Sequence, residues 1–234
     1  MEFYKLSATG NDFILFVNQD ISNINIDKLC NRNYFIGADG IITINDNKVS
    51  IYNADGSKAS MCGNGLRCVS KLLSYLNYTS INTIYIENKP YYLKQLDDSN
   101  AEVIMPTPIM MSYKNGYLVN VSNNHFVFIT NDLDKVNFND YLDIVKDKKA
   151  NIHAIKIIDR NNIYIKTYEY GVKETLSCGS GSVACFFVLY MLNKVENNLN
   201  VISSGGVVNV RNENNNYILK GNVNLVYKGE LYGF

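Results

Sequence analysis

Two stretches of this chain carry the same short pattern around a cysteine. Met61-Cys62-Gly63-Asn64-Gly65 opens one apolar segment, and Ser177-Cys178-Gly179-Ser180-Gly181 opens another. A cysteine at a helix start sits at the positive end of the helix dipole, which favours the thiolate, the reactive form. The neighbouring glycines let backbone N–H groups approach a ligand, and those groups bind carboxylates. One motif would bind a carboxylate beside a base. Two facing motifs would clamp an amino-acid carboxylate from both sides, with a sulfur above and below the α-carbon. Removing an α-proton needs a positioned base and stabilisation of the charge that builds on the carboxylate. Inversion needs a thiolate on one face, a thiol on the other and exclusion of water. That scheme calls for no metal and no cofactor. A single Cys-Gly-x-Gly more often marks an ordinary buried cysteine, so the repetition carries the argument. Cys30, Cys68 and Cys185 lack the pattern and read as packing residues.

The elements that position these motifs are legible around them. Leu66, Val69, Leu72, Leu73 and Leu76 recur at helical spacing. Ser182 to Leu192 is apolar almost all round, which suits a helix buried inside a sheet or barrel. Short β-branched and aromatic runs bounded by Gly, Asn and Asp fill most of the rest. They include Ile14–Val17, Ile41–Ile44, Val49–Tyr52, Ile84–Ile86, Phe126–Ile129, Ile155–Ile158, Ile163–Ile165, Val207–Val210 and Tyr217–Leu219. Shorter helices are expected over Ile26–Asn31 and Asp140–Lys146. The sequence thus predicts an α+β protein of two similar halves, each a mostly antiparallel sheet or barrel around a Cys-led helix. The expected division is 1–113 with 222–234 against 114–221, with the seam near Tyr113-Lys114-Asn115-Gly116 and the site in the cleft between the halves.

Composition narrows the classes of function. The 234 residues hold 22 basic and 22 acidic side chains, with no long like-charge block. Neither nucleic acid nor an anionic membrane is an expected partner. The longest apolar run, from Val183 to Leu192, is shorter than the ~20 residues that span a bilayer. The start of the chain shows no apolar signal-like stretch, so a soluble cytoplasmic protein is expected. The odd count of five cysteines fits free thiols in a reducing compartment, and their spacing matches no zinc pattern. Cys62 and Cys178 lie too far apart in sequence for a Cys-x-x-Cys redox pair.

Blocks spread along nearly the whole chain resemble the diaminopimelate epimerase family. Thr9-Gly10-Asn11-Asp12-Phe13 is similar to its opening signature, and Asn53-Ala54-Asp55-Gly56-Ser57 followed by Met61 to Cys68 resembles its first active-site block. Asn123-Asn124-His125 resembles its Asn-Pro-His, Asn151 stands where the family has an Asn before a strand, and Tyr168 to Gly181 resembles its second block. The resemblance implies a cofactor-independent epimerase with Cys62 and Cys178 as the acid/base pair. It implies that Gly63, Asn64, Gly179 and Ser180 hold the α-carboxylate, that Asn11, Asn53, Asn123 and Asn151 hold other polar groups of the substrate, and that His125 and Glu169 set the protonation of the thiols. A small amino acid is the implied partner, and homodimers are common in the family.

Three departures bear on the substrate. The family's Arg after the Glu of the second block, which grips a distal carboxylate, is Tyr170 here, so Tyr170 takes that substrate-contact position. Its Phe-Asp-Gln is Ala38-Asp39-Gly40, and the Pro of Asn-Pro-His is Asn124. A phenol does not replace a bidentate Arg; Lys173 is the nearest residue in sequence able to supply a charge. Diaminopimelate, favoured by the retained asparagines, and an amino acid without a distal carboxylate, such as histidine, are both expected candidates. A non-catalytic amino-acid-binding protein is a third reading.

Overall fold

The computed structural model describes residues 1–233. The chain divides into two compact units: Met1–Val103 with the stretch from Gly221 on, and Ile104–Lys220. The first seam therefore falls at Val103 rather than near Tyr113. The reason is local. Strands Ile109–Tyr113 and Gly116–Val121 pair antiparallel, with Tyr113 opposite Gly116, so the Lys114–Asn115 turn is the tip of a hairpin inside the second unit.

The two units repeat one strand plan. In the first, Glu2–Ala8 pairs antiparallel with Asn11–Val17, which runs parallel to Gly40–Asn45. That strand turns back into Lys48–Asn53, which runs parallel to Thr83–Ile86. In the second, Gly116–Val121 pairs antiparallel with Asn123–Ile129, which runs parallel to Asn151–Ile157. That strand pairs antiparallel with Asn162–Glu169, which runs parallel to Asn198–Ser203. Parallel neighbours need a crossover, and each unit has two. The earlier crossovers hold the short helices Ile26–Cys30 and Asn139–Val145; the later ones hold the long helices Gly63–Tyr75 and Gly179–Met191. Both long helices have a cysteine at the cap.

The ends of the two long helices match as well. Each runs 13 residues. Asn77 and Asn193 follow the last turns with φ of +61° and +54°, the left-handed conformation that Asn tolerates better than most residues. Tyr78 N–H then reaches Leu73 C=O at 2.8 Å, and Lys194 N–H reaches Leu189 C=O at 2.9 Å, the Schellman closure that satisfies carbonyls left over at a helix end. Leu66, Val69, Leu72 and Leu73 bury the first helix against the first unit's strands, while Tyr75 stays exposed. The second buries Val183, Ala184, Cys185, Phe186, Val188 and Leu189. Each such side chain contributes roughly 1.5–3 kcal/mol of transfer free energy when fully buried, so burial rather than propensity holds these helices in place.

Candidate active site

Cys62 and Cys178 do the same local job. Each is the N-cap of its helix in extended conformation, with φ of −145° and −133°. Each sulfur accepts the backbone N–H three residues on, Gly65 or Gly181, at 3.4 Å. Serine or aspartate usually fills this position. A sulfur placed there spends a cap to gain a reactive atom facing the first turn. Cys178 is 6% exposed; Cys62 is half-buried. Burial pushes the Cys30 thiol up to about 11 and raises Cys68 and Cys185 further, so those three stay protonated.

Around Cys62 the first unit assembles a polar chain. Asn11 Oδ1 lies 3.8 Å from the Cys62 sulfur and 3.5 Å from Asn64 Nδ2. Asn11 in turn donates to Asp39 Oδ2 at 2.7 Å. Arg32 bridges Asp39 at 2.8 Å and Asp12 at 2.6 Å, and Lys5 reaches Asp12 at 2.7 Å. Burial opposes the charge on Asp12, yet its bonds to Arg32 and Lys5 hold the carboxyl well below the usual range. The network fixes Asn11 from behind. Beneath the cap, Arg67 is fully buried and donates through Nη2 to Thr9 Oγ1 at 2.7 Å and Asn64 Oδ1 at 2.8 Å. Burial lowers its guanidinium to about 10, which leaves it charged at neutral pH. Asn53 lies outside this chain: it is exposed and donates to Ser57 Oγ at 2.9 Å within its own turn.

Around Cys178 the second unit builds something different. His125 and His153 are both fully buried, and His125 Nδ1 lies 2.9 Å from His153 Nε2. His153 Nδ1 lies 3.0 Å from Thr167 Oγ1, its direct partner across the ladder between Asn151–Ile157 and Asn162–Glu169. One ring nitrogen of each histidine and the Cys178 sulfur lie within 4.8 Å of one another. Burial drives His125 down to about 3, and burial with the neighbouring ring pushes His153 well below its ordinary value, so both imidazoles are neutral. Two nitrogens and a sulfur are also a soft donor set for a transition metal. A metal there would have to break the bond between the rings. Ser180 Oγ sits 3.6 Å from the Cys178 sulfur.

The remaining expected residues are placed as follows. Gly63, Asn64, Gly179 and Ser180 all lie buried in the first turns of the helices. Glu169 accepts from Thr175 Oγ1 at 2.7 Å. Asn151 accepts the Tyr170 backbone N–H at 2.9 Å and thereby braces the segment that carries Tyr170, whose side chain is half exposed. Asn123 is half-buried at the start of the His125 strand. Lys173 is exposed with φ of +86°.

His153, Thr167, Arg67 and Asp39 belong to these arrangements and were not read from sequence as site residues. A signal for His153 was present: strand alternation puts it on the same face as Asn151, two residues earlier. For Thr167 the cue was pairing register, which a single sequence does not print.

Comparison with known proteins agrees with this frame. The family profile described as diaminopimelate epimerase matches residues 3–89 and 117–226. The diaminopimelate epimerase of Prochlorococcus marinus (strain NATL2A) is 32% identical over 98% of both chains. That of Campylobacter jejuni (strain 81116) is 31% identical over the full length of both. Among solved structures, a predicted epimerase from Pseudomonas aeruginosa superposes with a TM-score of 0.81 at 13% identity, covering 100% of this chain and 99% of that one. A hydroxyproline epimerase from Agrobacterium vitis gives 0.72 at 10% identity, covering 99% and 90%. The two-domain α+β fold with its repeated cysteine caps is that of an isomerase, of the epimerase and racemase class. Within that class, the chain belongs to the diaminopimelate epimerase family.

Proposed function

We propose that the protein inverts the α-carbon of diaminopimelate by a two-base mechanism in which Cys62 and Cys178 act as base and acid on opposite faces. The observation that carries this reading is the matched geometry of the two caps, each sulfur held at 3.4 Å by the N–H of the third helical residue. A cap sulfur stands beside the N–H groups of the first turn, which have no acceptor within the helix itself. A bound α-carboxylate would take those N–H groups and place its α-carbon next to the sulfur. One thiolate removes the α-proton, the opposite thiol delivers its own proton to the other face, and the negative charge in transit rests on a carboxylate already gripped by N–H donors. The second thiol begins protonated and ends as the thiolate, so a turnover in one direction leaves the two sulfurs exchanged in protonation.

Relatives named diaminopimelate epimerase at 31–32% identity over nearly the whole chain support the substrate. Tyr170 supports a second reading. Its phenol is half exposed, and by the resemblance in sequence it takes the position of the family's arginine for a distal carboxylate, which fits an amino acid without that group. Incubation of the protein with LL- and meso-diaminopimelate and with single amino acids in D2O, followed by NMR of the α-hydrogen, decides between them. Exchange and inversion with diaminopimelate alone is the expected result. Exchange confined to an amino acid lacking the distal carboxylate overturns the substrate assignment, and no exchange with any of them overturns the two-base reading.

A further inference from the structure

The histidine pair beside Cys178 imposes a constraint on itself. Only one hydrogen fits between His125 Nδ1 and His153 Nε2 at 2.9 Å. Suppose His125 holds it. Then His153 Nε2 is bare, and its one proton must be on Nδ1, donated to Thr167 Oγ1 at 3.0 Å. Suppose His153 holds it instead. Then His125 Nδ1 is bare, its proton is on Nε2, and Thr167 donates its hydroxyl to His153 Nδ1. Neutral rings in this contact therefore always share the same tautomer. Among the described residues, His125 Nε2 is the ring nitrogen of the pair that is buried with no hydrogen-bond partner, and Cys178 is a thiol close to both rings. His153 is pressed so closely on the helix start that a Cβ on Gly181 would lie 2.2 Å from its Cε1. The pair belongs to the cap of this thiol.

The proposed mechanism leaves Cys178 with the wrong proton count after each turnover in one direction, and at 6% exposure the residue has little direct access to solvent. We infer that Thr167, His153 and His125 form a neutral proton relay that resets Cys178, with His153 and Thr167 as positioning residues that act through His125. The step balances. The Cys178 sulfur lies within 4.8 Å of one ring nitrogen of His125 without hydrogen-bonding Nε2 in this state; on closing that gap it gives its proton to His125 Nε2, His125 Nδ1 gives its proton to His153 Nε2, and His153 Nδ1 gives its proton to Thr167 Oγ1. Thr167, itself only 3% exposed, passes its own hydroxyl proton outward toward the Thr175–Glu169 pair, and the partly exposed Glu169 carboxylate delivers it to water. Both rings change tautomer and neither becomes charged, as their depressed basicity in this buried setting requires. The reverse run protonates the thiolate. Thr175, directly across the ladder from Thr167, donates to the Glu169 carboxylate, so the outer end of the row lies beside an acceptor that faces partly toward solvent.

The inference rests on the two-thiol reading, and its test has an arm that needs no substrate. The chain has two histidines, so 15N-histidine labelling gives four ring signals to resolve. The expected spectrum at pH 6 shows both rings neutral and in the same tautomer. One ring in each tautomer, or an imidazolium on either, overturns the relay whether or not the enzyme turns over. The second arm is kinetic. In His153→Gln the amide still meets His125 Nδ1 but has no second nitrogen to pass a proton on. The expected result is a kcat about tenfold lower or more, with KM within about twofold. Thr167→Val should behave alike, and Thr167→Ser should restore kcat. Unchanged kcat in folded Gln and Val variants of an active protein overturns the relay. Loss of α-hydrogen exchange in the unmodified protein overturns the two-thiol reading instead.

Discussion

Arg67 Nη2 donates to Asn64 Oδ1 at 2.8 Å from a guanidinium with no solvent exposure. The contact ties a buried charge to the second residue of the helix that Cys62 caps. Arg67 Nε and Nη1 find no hydrogen-bond partner among the described residues, so the side chain is expensive where it sits. A buried charge with unsatisfied donors usually costs more than it stabilises. Cys68 and Cys62 both favour the charge on Arg67, and by the same attraction that charge would favour a thiolate at Cys62. Arg67→Met keeps the length of the side chain and removes the charge. The expected outcome is stability within about 1 kcal/mol of the parent, or higher, with slower alkylation of Cys62 by iodoacetamide at fixed pH. A large loss of stability with unchanged Cys62 alkylation would show that the arginine is structural. Urea denaturation and peptide mass spectrometry supply the two readings.

The buried imidazoles predict an acid-sensitive fold. Both rings are neutral when folded, with His125 held down to about 3 by burial. In the unfolded chain each takes up a proton near pH 6.5. Below that value the unfolded state binds more protons than the folded state, so stability falls as pH drops. It is fully present above pH 6.5 and declines by about 1.4 kcal/mol per pH unit for each ring until the folded ring itself titrates. Between pH 7 and pH 5 the two rings together should remove about 4 kcal/mol. Most carboxylates titrate lower, and the chain has no other histidine, so the window isolates this pair. Urea midpoints that coincide at pH 7 and pH 5 would contradict a neutral pair.

Gly65 and Gly181 occupy the same place in the repeated motif but meet different neighbours. A Cβ on Gly65 would approach the end of the Ile42 side chain at 2.9 Å, an atom that moves easily. A Cβ on Gly181 would lie 2.2 Å from His153 Cε1 and 2.5 Å from its Nε2, inside a ring held by bonds at both ends. Gly65→Ala should therefore stay within about 1 kcal/mol, helped by the better helix propensity of alanine. Gly181→Ala should cost about 1–3 kcal/mol and displace His153. Thermal denaturation compares the two, and the histidine 15N signals should move only in Gly181→Ala. Equal costs would mean that the two caps are packed alike.

Much of this arrangement was legible in the sequence because local chemistry wrote it. The spacing of Leu66, Val69, Leu72 and Leu73 marks a helix, and the Cys-Gly-x-Gly repeat marks where it and its counterpart begin. Ile41–Ile44 and Phe126–Ile129 are buried strands of unbroken apolar character. Less legible were features decided by pairing. Strands Glu2–Ala8 and Asn224–Glu230 mix charged and apolar residues and exist because they pair with each other. The Lys114–Asn115 turn looks in sequence like a linker, whereas the strands on either side of it pair as a hairpin. His153 and Thr167 touch because the ladder register sets them opposite, and the bond between His125 and His153 crosses neighbouring parallel strands.

The two thiols supply the sharpest prediction. Serine is a better helix cap than cysteine, so Cys62→Ser and Cys178→Ser should each fold with undiminished stability. Neither serine ionises near neutral pH, so each variant keeps one working sulfur. Epimerisation should fall by about 10²–10⁴-fold or more in both. The surviving sulfur can still remove and return a proton on its own face, exchanging it for deuterium without inverting the centre. Cys62→Ser and Cys178→Ser should therefore exchange the α-hydrogen of opposite stereoisomers, each with retention. Chiral chromatography of the substrate recovered from D2O, with mass analysis of each stereoisomer, reads this directly. Inversion by either variant would mean that one sulfur serves both faces. Exchange of the same stereoisomer by both would mean that the two sulfurs do not oppose each other across one carbon.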